Sequence, residues 1–179
     1  MIISMLRGIN VSGQKTIRMP DLKALYESLG FTQVATYLQS GNVIFDCAIL
    51  EASTVAGSIE KAIERHFGFT VSVFIRNRDD FGRIIEGNPF LTQRNEDIER
   101  LHVTFLSALP SAAALKNLET PIDTTDEYFL SGKEIYLFCP NGYGRTKLSN
   151  TFFEKKLKVA ATTRNWKTVS ALYGMVNSR

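Results

Sequence analysis

The chain has 179 residues, of which 44% are hydrophobic and 22% are charged, and its formal net charge at pH 7 is +3. This composition is typical of a soluble globular protein with one domain or two small ones. No segment approaches the roughly 18 uninterrupted apolar residues of a membrane helix, and the N-terminus lacks the basic start and apolar stretch of a secretory signal. We therefore expect a cytosolic protein.

The first half, residues 1–76, alternates short strands and helices. Apolar residues recur at helical spacing in 19–30, where Pro20 suits the first turn and Gly30 suits the C-terminal cap. The order βαββαβ predicts a ferredoxin-like antiparallel sheet with two helices on one face. The predicted elements are strands at 2–6, 34–39, 42–46 and 71–75 and helices at 19–30 and 53–68.

The second half, residues 101–179, repeats much of this order. A helix followed by a polar linker is predicted for 77–100, with Asn88-Pro89 as the break between them. Asn165 is a predicted N-cap of the last helix. The predicted elements of the second half are strands at 101–107, 126–131, 134–139 and 160–164 and helices at 111–118, near 147–158 and near 166–177.

A local sequence match supports a duplication. The stretch TYLQSGNVIF at 36–45 aligns without gaps with EYFLSGKEIY at 127–136. The identical positions pair Tyr37 with Tyr128, Ser40 with Ser131, Gly41 with Gly132 and Ile44 with Ile135. Together with the element order, this match predicts an α+β fold of two ferredoxin-like halves related by internal duplication.

Catalytic and metal-binding signatures are sparse. The two histidines, His66 and His102, lie in a helix end and a strand, where packing or surface roles are more common than catalysis. Cys47 and Cys139 form no CxxC pair, and we expect both to be free thiols. No metal-ligand or triad motif occurs, so we predict neither a metal nor a cofactor, and the sequence identifies no catalytic residue.

Polar residues at the strand ends of the first half form a candidate binding site. The stretch RGINVSGQKTIR at 7–18 contributes Arg7, Asn10 and Lys15, whose cations and backbone N–H groups suit an anion. Ser40 and Asn42 lie at the tip of the predicted hairpin. The alternative for these two is simple turn chemistry, because serine, glycine and asparagine all favour turns.

The stretch PNGYGRTKLS at 140–149 is a second candidate. Arg145 and Lys147 bracket the expected start of a helix, where free N–H groups and the helix dipole attract anions. It opens a segment, 140–179, with eight basic side chains and one acidic side chain, a net charge of +7. The alternatives are a plain connection between strand and helix, and lysines on a solvated helix face.

The stretch TTRNWKT at 162–168 is a third candidate. Arg164, Asn165 and Trp166 combine a cation, an amide and an aromatic ring, which suits stacking on a base beside a phosphate. Trp166 also begins the apolar stripe of the last helix, and for this residue the core interpretation is favoured.

Four stretches together resemble a bacterial family of uncharacterised proteins, catalogued as domain of unknown function sixteen-ninety-seven. They are MLRGINVSGQK at 5–15, TYLQSGNVIF at 36–45, GRTKLS at 144–149 and ATTRNWKT at 161–168. Members typically have a leucine and a glycine where this chain has Met5 and Ser12. The resemblance implies a two-part α+β fold with an internal duplication, and it implies no activity, substrate or cofactor.

Three hypotheses follow for function. The first is binding of a phosphorylated or polyanionic ligand, with nucleic acid as the leading choice, through the basic strand-end loops. The second is an enzyme acting on a small phosphorylated metabolite or nucleotide. The third is a protein-interaction or structural module, in which the same motifs serve only as turns and packing contacts. No membrane partner is predicted.

Overall fold

A computed structural model describes residues 1–48, 51–118 and 124–178. Single 3-10 turns occupy Ile98–Arg100 and Tyr143–Arg145. None of the helices in these ranges is long and apolar enough to cross a membrane. In chain order the elements are β1 (Ile2–Leu6), α1 (Met19–Ser28), β2 (Thr32–Tyr37), β3 (Asn42–Asp46), α2 (Ala52–Phe67), β4 (Val73–Asn77), α3 (Arg78–Glu86), α4 (Pro89–Thr92), β5 (Leu101–Leu106), α5 (Ala112–Leu115), β6 (Glu127–Ser131), β7 (Glu134–Phe138), α6 (Asn150–Leu157), β8 (Ala161–Asn165) and α7 (Trp166–Asn177).

The chain divides into two compact units. Unit 1 comprises Met1–Gly82 together with the chain from Leu172 onward, and unit 2 comprises Arg83–Ala171. The divisions therefore fall within α3 and α7. The halves expected from the sequence, 1–76 and 101–179 with a linker at 77–100, place the whole of the last helix in the second half.

Unit 1 contains a four-stranded antiparallel sheet in the order β2-β3-β1-β4. Leu6 of β1 faces the same side as Phe45 of β3, and both belong to the core formed with α1 and α2. Tyr26 of α1 is fully buried, and its hydroxyl lies 2.9 Å from the Ser4 hydroxyl beneath it. Each fully buried leucine or phenylalanine contributes about 1.5–3 kcal/mol, so this face holds the helices on the sheet.

Unit 2 repeats the same topology, with the strand order β6-β7-β5-β8 and antiparallel pairing throughout. Its core combines Leu106 and Leu137 of the sheet with Phe153 and Leu157 of α6. The two four-stranded antiparallel sheets confirm the predicted α+β fold with an internal duplication.

Several predicted boundaries are wrong by a few residues. The second strand runs over Thr32–Tyr37 instead of 34–39, because Leu38 adopts a left-handed φ of 57° and turns the chain. The helix expected near 147–158 begins only at Asn150, because the Ser149 hydroxyl accepts from the Phe152 N–H and caps it there. The helix expected over 111–118 is the single short segment Ala112–Leu115.

The register of the predicted repeat is shifted by one residue. Ile3 and Val103 are equivalent, because each is the residue of the first strand that pairs with an arginine of the fourth. Ile3 also pairs with Ile44, and Val103 pairs with Tyr136. Ile44 therefore corresponds to Tyr136, and its sequence match to Ile135 is wrong. A one-residue shift places a side chain on the opposite sheet face, so the ungapped alignment mixed the two faces.

Candidate functional site

The loop between β1 and α1 is held in place by its own polar groups. Asn10 donates from Nδ2 to the carbonyl of Ile17 at 2.9 Å and to that of Gln39 at 2.8 Å, and its Oδ1 accepts from the Ile17 N–H. Lys15 reaches across unit 1 and donates from Nζ to the carbonyl of Thr70 at 2.7 Å. The loop is thereby fixed between the hairpin on one side and the segment before β4 on the other.

Asn10, Lys15 and Ser12 also adopt left-handed backbone conformations, with φ between 48° and 55°. Non-glycine residues adopt this region rarely, and asparagine does so more readily than most. The side-chain hydrogen bonds of Asn10 and Lys15 hold the loop in this conformation. Unusual backbone geometry of this kind clusters at ligand sites, and a cavity lies beside this loop.

A cavity of about 360 Å³ lies beside this loop, where β1 ends and β4 begins, and α2 forms its other wall. Three cations line it: Arg7 follows β1, Lys15 comes from the loop, and Lys61 projects from α2. Two carboxylates, Glu60 and Glu64, also line it, so the ionised side chains sum to +1. We refer to this cavity as the basic cleft.

Hydrogen bonds to the backbone of β4 and the residue before it fix the walls of the basic cleft. The Arg7 N–H donates to the carbonyl of Ser72 at 3.0 Å, which joins the end of β1 to the start of β4. Glu60 accepts from the Val73 N–H at 2.8 Å and ties α2 to the same strand. Arg7, Lys61 and Ser72 therefore come from three chain segments that the fold holds together.

Unit 2 shows which of these features the fold itself requires. The Ser107 N–H donates to the carbonyl of Ala160 at 3.0 Å, as that of Arg7 does to Ser72, and Glu154 of α6 accepts from the Ala161 N–H at 2.9 Å, as Glu60 does from Val73. The scaffold bonds are thus present in both units. Unit 2 has Ser107 at the position that corresponds to Arg7. The loop that contains Lys15 in unit 1 corresponds in unit 2 to the short connection 107–111. Arg7 and Lys15 are consequently additions that the shared topology does not need.

Ser40 and Asn42 lie in the hairpin between β2 and β3. Asn42 is buried and donates from Nδ2 to the Tyr37 carbonyl at 2.9 Å and to the Ser40 hydroxyl at 3.0 Å. These bonds close the four-residue connection. Neither residue lines the basic cleft.

Arg145 and Lys147 line a separate cavity of about 310 Å³ in unit 2, together with Asn141. Asp126, also in its wall, accepts from the Thr146 hydroxyl at 2.6 Å and fixes the loop. Both cations precede α6 by several residues, and the N-terminus of α6 is capped by Ser149. The predicted placement of these cations around an open helix start is therefore wrong.

The third candidate stretch is largely built into unit 2. Arg164 is 8% exposed, and it donates from one guanidinium nitrogen to the Thr162 hydroxyl and to the Thr163 carbonyl, each at 2.9 Å. Burial lowers the pKa of Arg164 to about 10. Trp166 is 5% exposed. The side-chain oxygen Oδ1 of Asn165 accepts from the Thr168 N–H at 2.8 Å, which confirms the predicted cap of α7.

Unit 1 contains a counterpart of Arg164 that the sequence patterns did not reveal. Arg76 of β4 is buried and donates from one guanidinium nitrogen to the carbonyl of the preceding Ile75 at 2.8 Å. Asn77 follows it and accepts from the Asp80 N–H, as Asn165 does in unit 2. The dipeptide Arg-Asn at the end of both fourth strands was the available signal. Its recurrence in both units is what a role in the fold predicts.

The structure thus brings the predicted site residues together in pairs. Arg7 and Lys15 share the basic cleft of unit 1, and Arg145 and Lys147 share the cavity of unit 2. Sequence reasoning missed Lys61, which shares a face of α2 with Gly57 four residues before it. Across the described residues, no group of three or more histidine, cysteine or acidic side chains is arranged to hold a metal ion.

Comparison with known proteins agrees with the fold. Residues 1–136 match the family described as protein of unknown function, DUF1697. A solved structure of a conserved bacterial protein from Streptococcus pneumoniae is similar with a TM-score of 0.69 and 24% sequence identity, and the match covers 97% of each chain. At this identity the likeness concerns the fold alone. No curated protein matches the chain.

Proposed function

The chain belongs to the DUF1697 family of proteins of unknown function, and from that premise we propose that unit 1 binds a small phosphorylated ligand in the basic cleft. One observation supports this proposal above the others. Arg7, Lys15 and Lys61 come from three separate segments and line one concave cavity. Concave sites lined by cations concentrate the electric field and attract anions more strongly than the same charges on a flat surface.

The chemistry of the cleft suits a phosphate group. Arginine binds phosphate oxygens with two parallel N–H donors, and lysines add compact positive charges from other directions. Glu60 accepts from the Val73 N–H, and the three cations exceed the two carboxylates of the cleft by one charge. A volume of about 360 Å³ suits a small molecule.

The comparison between the units supports a binding role for Arg7 and Lys15. Both units keep the scaffold bonds made by Glu60 and Glu154, whereas unit 2 has Ser107 in place of Arg7. Residues retained in both copies serve the shared fold. Unit 1 adds these cations at a strand end that lines the cleft, which supports a ligand-binding role for them beside the loop contact that Lys15 makes.

A calorimetric titration with inorganic phosphate and glucose 6-phosphate tests the proposal. Replacing Lys61 by alanine removes one charge-assisted hydrogen bond and should weaken binding about 10- to 100-fold. Lys155 is the matched control, because it follows Glu154 in α6 as Lys61 follows Glu60 in α2, and both lysines are exposed. Lys155→Ala should leave the affinity unchanged. Equal losses in the two variants, or no binding to the parent protein, would reject the proposal.

Arg7→Ala distinguishes ligand binding from a purely structural role. If the cleft binds phosphate, this variant loses affinity for phosphate, whatever its stability. If the motif only supports packing, the variant loses stability and its phosphate titration matches that of the parent protein. Urea unfolding beside the calorimetric titration separates these two results.

Nucleic acid, the ligand class that the charge pattern favours, is the second candidate. The observation in its favour is the second basic cavity, where unit 2 presents Arg145 and Lys147. Binding of single-stranded RNA should weaken steeply with salt, with a logarithmic slope of about −0.7 for each phosphate contacted, and Lys147→Ala should remove about one such contact. A flat response to RNA at low salt would eliminate this candidate and leave the small-ligand proposal standing.

A further inference from the structure

Gly57 occupies the interior of α2 without a steric reason for being glycine. Its backbone is not in the left-handed region, and a Cβ added there would meet nothing within 4 Å. Glycine inside a helix is less favourable than alanine, because it gains backbone freedom in the unfolded chain. Neither packing nor backbone geometry therefore accounts for this residue.

The position of Gly57 beside two cavities suggests a reason for the absence of a side chain there. Gly57 and Lys61 line the basic cleft, and the same two residues line a second cavity of about 470 Å³ farther along α2. The stripe Ser53, Gly57, Lys61 and Glu64 follows helical spacing along one face of α2. A side chain at 57 would project into open space from a residue that both cavities share.

The second cavity is lined by hydroxyl groups, and we refer to it as the hydroxyl groove. Ser53, Thr54 and Ser58 contribute them, and each already donates its proton: Ser53 and Thr54 to the Glu51 carboxylate, and Ser58 to the Val55 carbonyl at 2.8 Å. Their oxygens therefore present lone pairs to the groove. Glu51 also accepts from the Ser53 and Thr54 N–H groups, so this end of the helix is capped.

The lining of the two cavities indicates the kind of ligand that fits. Oxygen acceptors in the hydroxyl groove, and the Glu64 carboxylate in the basic cleft, suit a ligand rich in hydroxyl donors. None of the described residues that line either cavity is aromatic, so there is no platform for stacking a nucleobase. The arrangement matches a phosphate group joined to a sugar or another polyol.

We propose that Gly57 joins the basic cleft and the hydroxyl groove into one binding site for a sugar phosphate or polyol phosphate. The inference rests on the proposed function of the basic cleft. The phosphate lies among Arg7, Lys15 and Lys61. The hydroxylated part crosses Gly57 and donates to the oxygens of Ser53, Thr54 and Ser58. Gly57 is accordingly a specificity-determining residue, which selects for the size of the group attached to the phosphate.

The test compares two ligands on three proteins. Inorganic phosphate probes the basic cleft alone, and glucose 6-phosphate probes both cavities. The variant Gly57→Leu places a large side chain of high helix propensity at the residue that both cavities share. Gly174→Leu is the matched control, because Gly174 also lies in a helix with nothing within 4 Å of an added Cβ, and it lines neither cavity. Both substitutions should raise or maintain thermal stability.

For the parent protein and Gly174→Leu, glucose 6-phosphate should bind about tenfold more tightly than phosphate, since one or two added hydrogen bonds are worth a factor of this size. In Gly57→Leu the ratio of the two affinities should fall to about one, because the added side chain excludes the sugar whatever its effect on phosphate alone. Equal affinities for the two ligands in the parent protein, or an advantage that survives Gly57→Leu, would overturn the inference and leave the cleft proposal intact. Failure of both ligands to bind the parent protein would reject the cleft proposal itself.

Discussion

The hairpin glycine of unit 1 provides a sharp test of the packing described for the sheet. Gly41 adopts a φ of 75°, and a Cβ added to it would lie 2.8 Å from Leu6 Cβ and 2.8 Å from Ile9 Cδ1. Leu6 Cβ is fixed by the backbone, because the Leu6 N–H donates to the Gly41 carbonyl at 2.8 Å. Ile9 and Leu6 are both buried in the core, so neither side chain has open space to move into.

Gly41→Ala should therefore destabilise the protein through two effects. The left-handed backbone costs about 1–2 kcal/mol for a non-glycine residue. Overpacking against Leu6 and Ile9 adds about 1–3 kcal/mol. Gly132, the hairpin glycine of unit 2, is the matched control, because its φ is 61° and its added Cβ would lie 4.0 Å from the nearest atom, in the Glu134 side chain.

Urea unfolding of the two variants measures the difference directly. Gly132→Ala is subject to the backbone effect and not to overpacking. The free energy of unfolding of this variant should therefore exceed that of Gly41→Ala by about 1–3 kcal/mol. Effects on the unfolded chain are the same for both substitutions and cancel in the comparison. Equal losses of stability would refute the close contact between Gly41 and the end of β1.

Three further predictions concern buried polar groups. Tyr26→Phe removes the hydroxyl that lies 2.9 Å from the Ser4 hydroxyl, and it should lower the free energy of unfolding by about 1 kcal/mol in urea. Burial lowers the pKa of His102 below its ordinary value of 6.5, so the unfolded chain binds more protons than the native one just below pH 6.5. Stability should therefore fall as the pH drops below 6.5, and His102→Phe should flatten the dependence of the urea midpoint on pH in that window; an unchanged profile would contradict the burial of this ring. Burial also raises the pKa of the Cys139 thiol to about 11, so a thiol-specific reagent at neutral pH should modify the partly exposed Cys47 and reach Cys139 only after unfolding. Rapid modification of both thiols in the native protein would contradict this packing.

The order of strands and helices was predictable, because apolar periodicity records which side of each element faces a core. The helix α2 illustrates this: its buried residues Val55, Ile59 and Ile63 keep the four-residue spacing, and Gly68 ends it in a left-handed conformation with φ 79°. The boundaries of β2 were less predictable, because the turn at Leu38 depends on a left-handed residue that has no sequence signature.

The repeat register shows how short matches mislead. The connection between β2 and β3 spans residues 38–41, whereas that between β6 and β7 is Gly132-Lys133 alone. Two hairpins with different loop lengths cannot align without a gap. The shared serine and glycine reflect the common chemistry of turns, and strand pairing alone reveals the true correspondence.

The candidate site was predictable only where the chain itself is unusual. Arg7 and Lys15 lie in a glycine-rich polar loop, and that composition distinguishes them from ordinary surface cations. Lys61 lies on a polar helix face, and such a face has the same residue pattern whether it meets solvent or lines a cleft. Arg164 shows the converse, because an arginine near the end of a polar strand is buried by the fold.

The central claim, that unit 1 binds phosphate between Arg7, Lys15 and Lys61, is tested most directly by ¹H–¹⁵N NMR during a titration with glucose 6-phosphate. Binding in the basic cleft predicts that the largest shifts fall on backbone amides around it, at Arg7, Ser72 and Lys61, and that amides near Arg145 stay in place. Shifts confined to unit 2, or none at all at high ligand concentration, would contradict it.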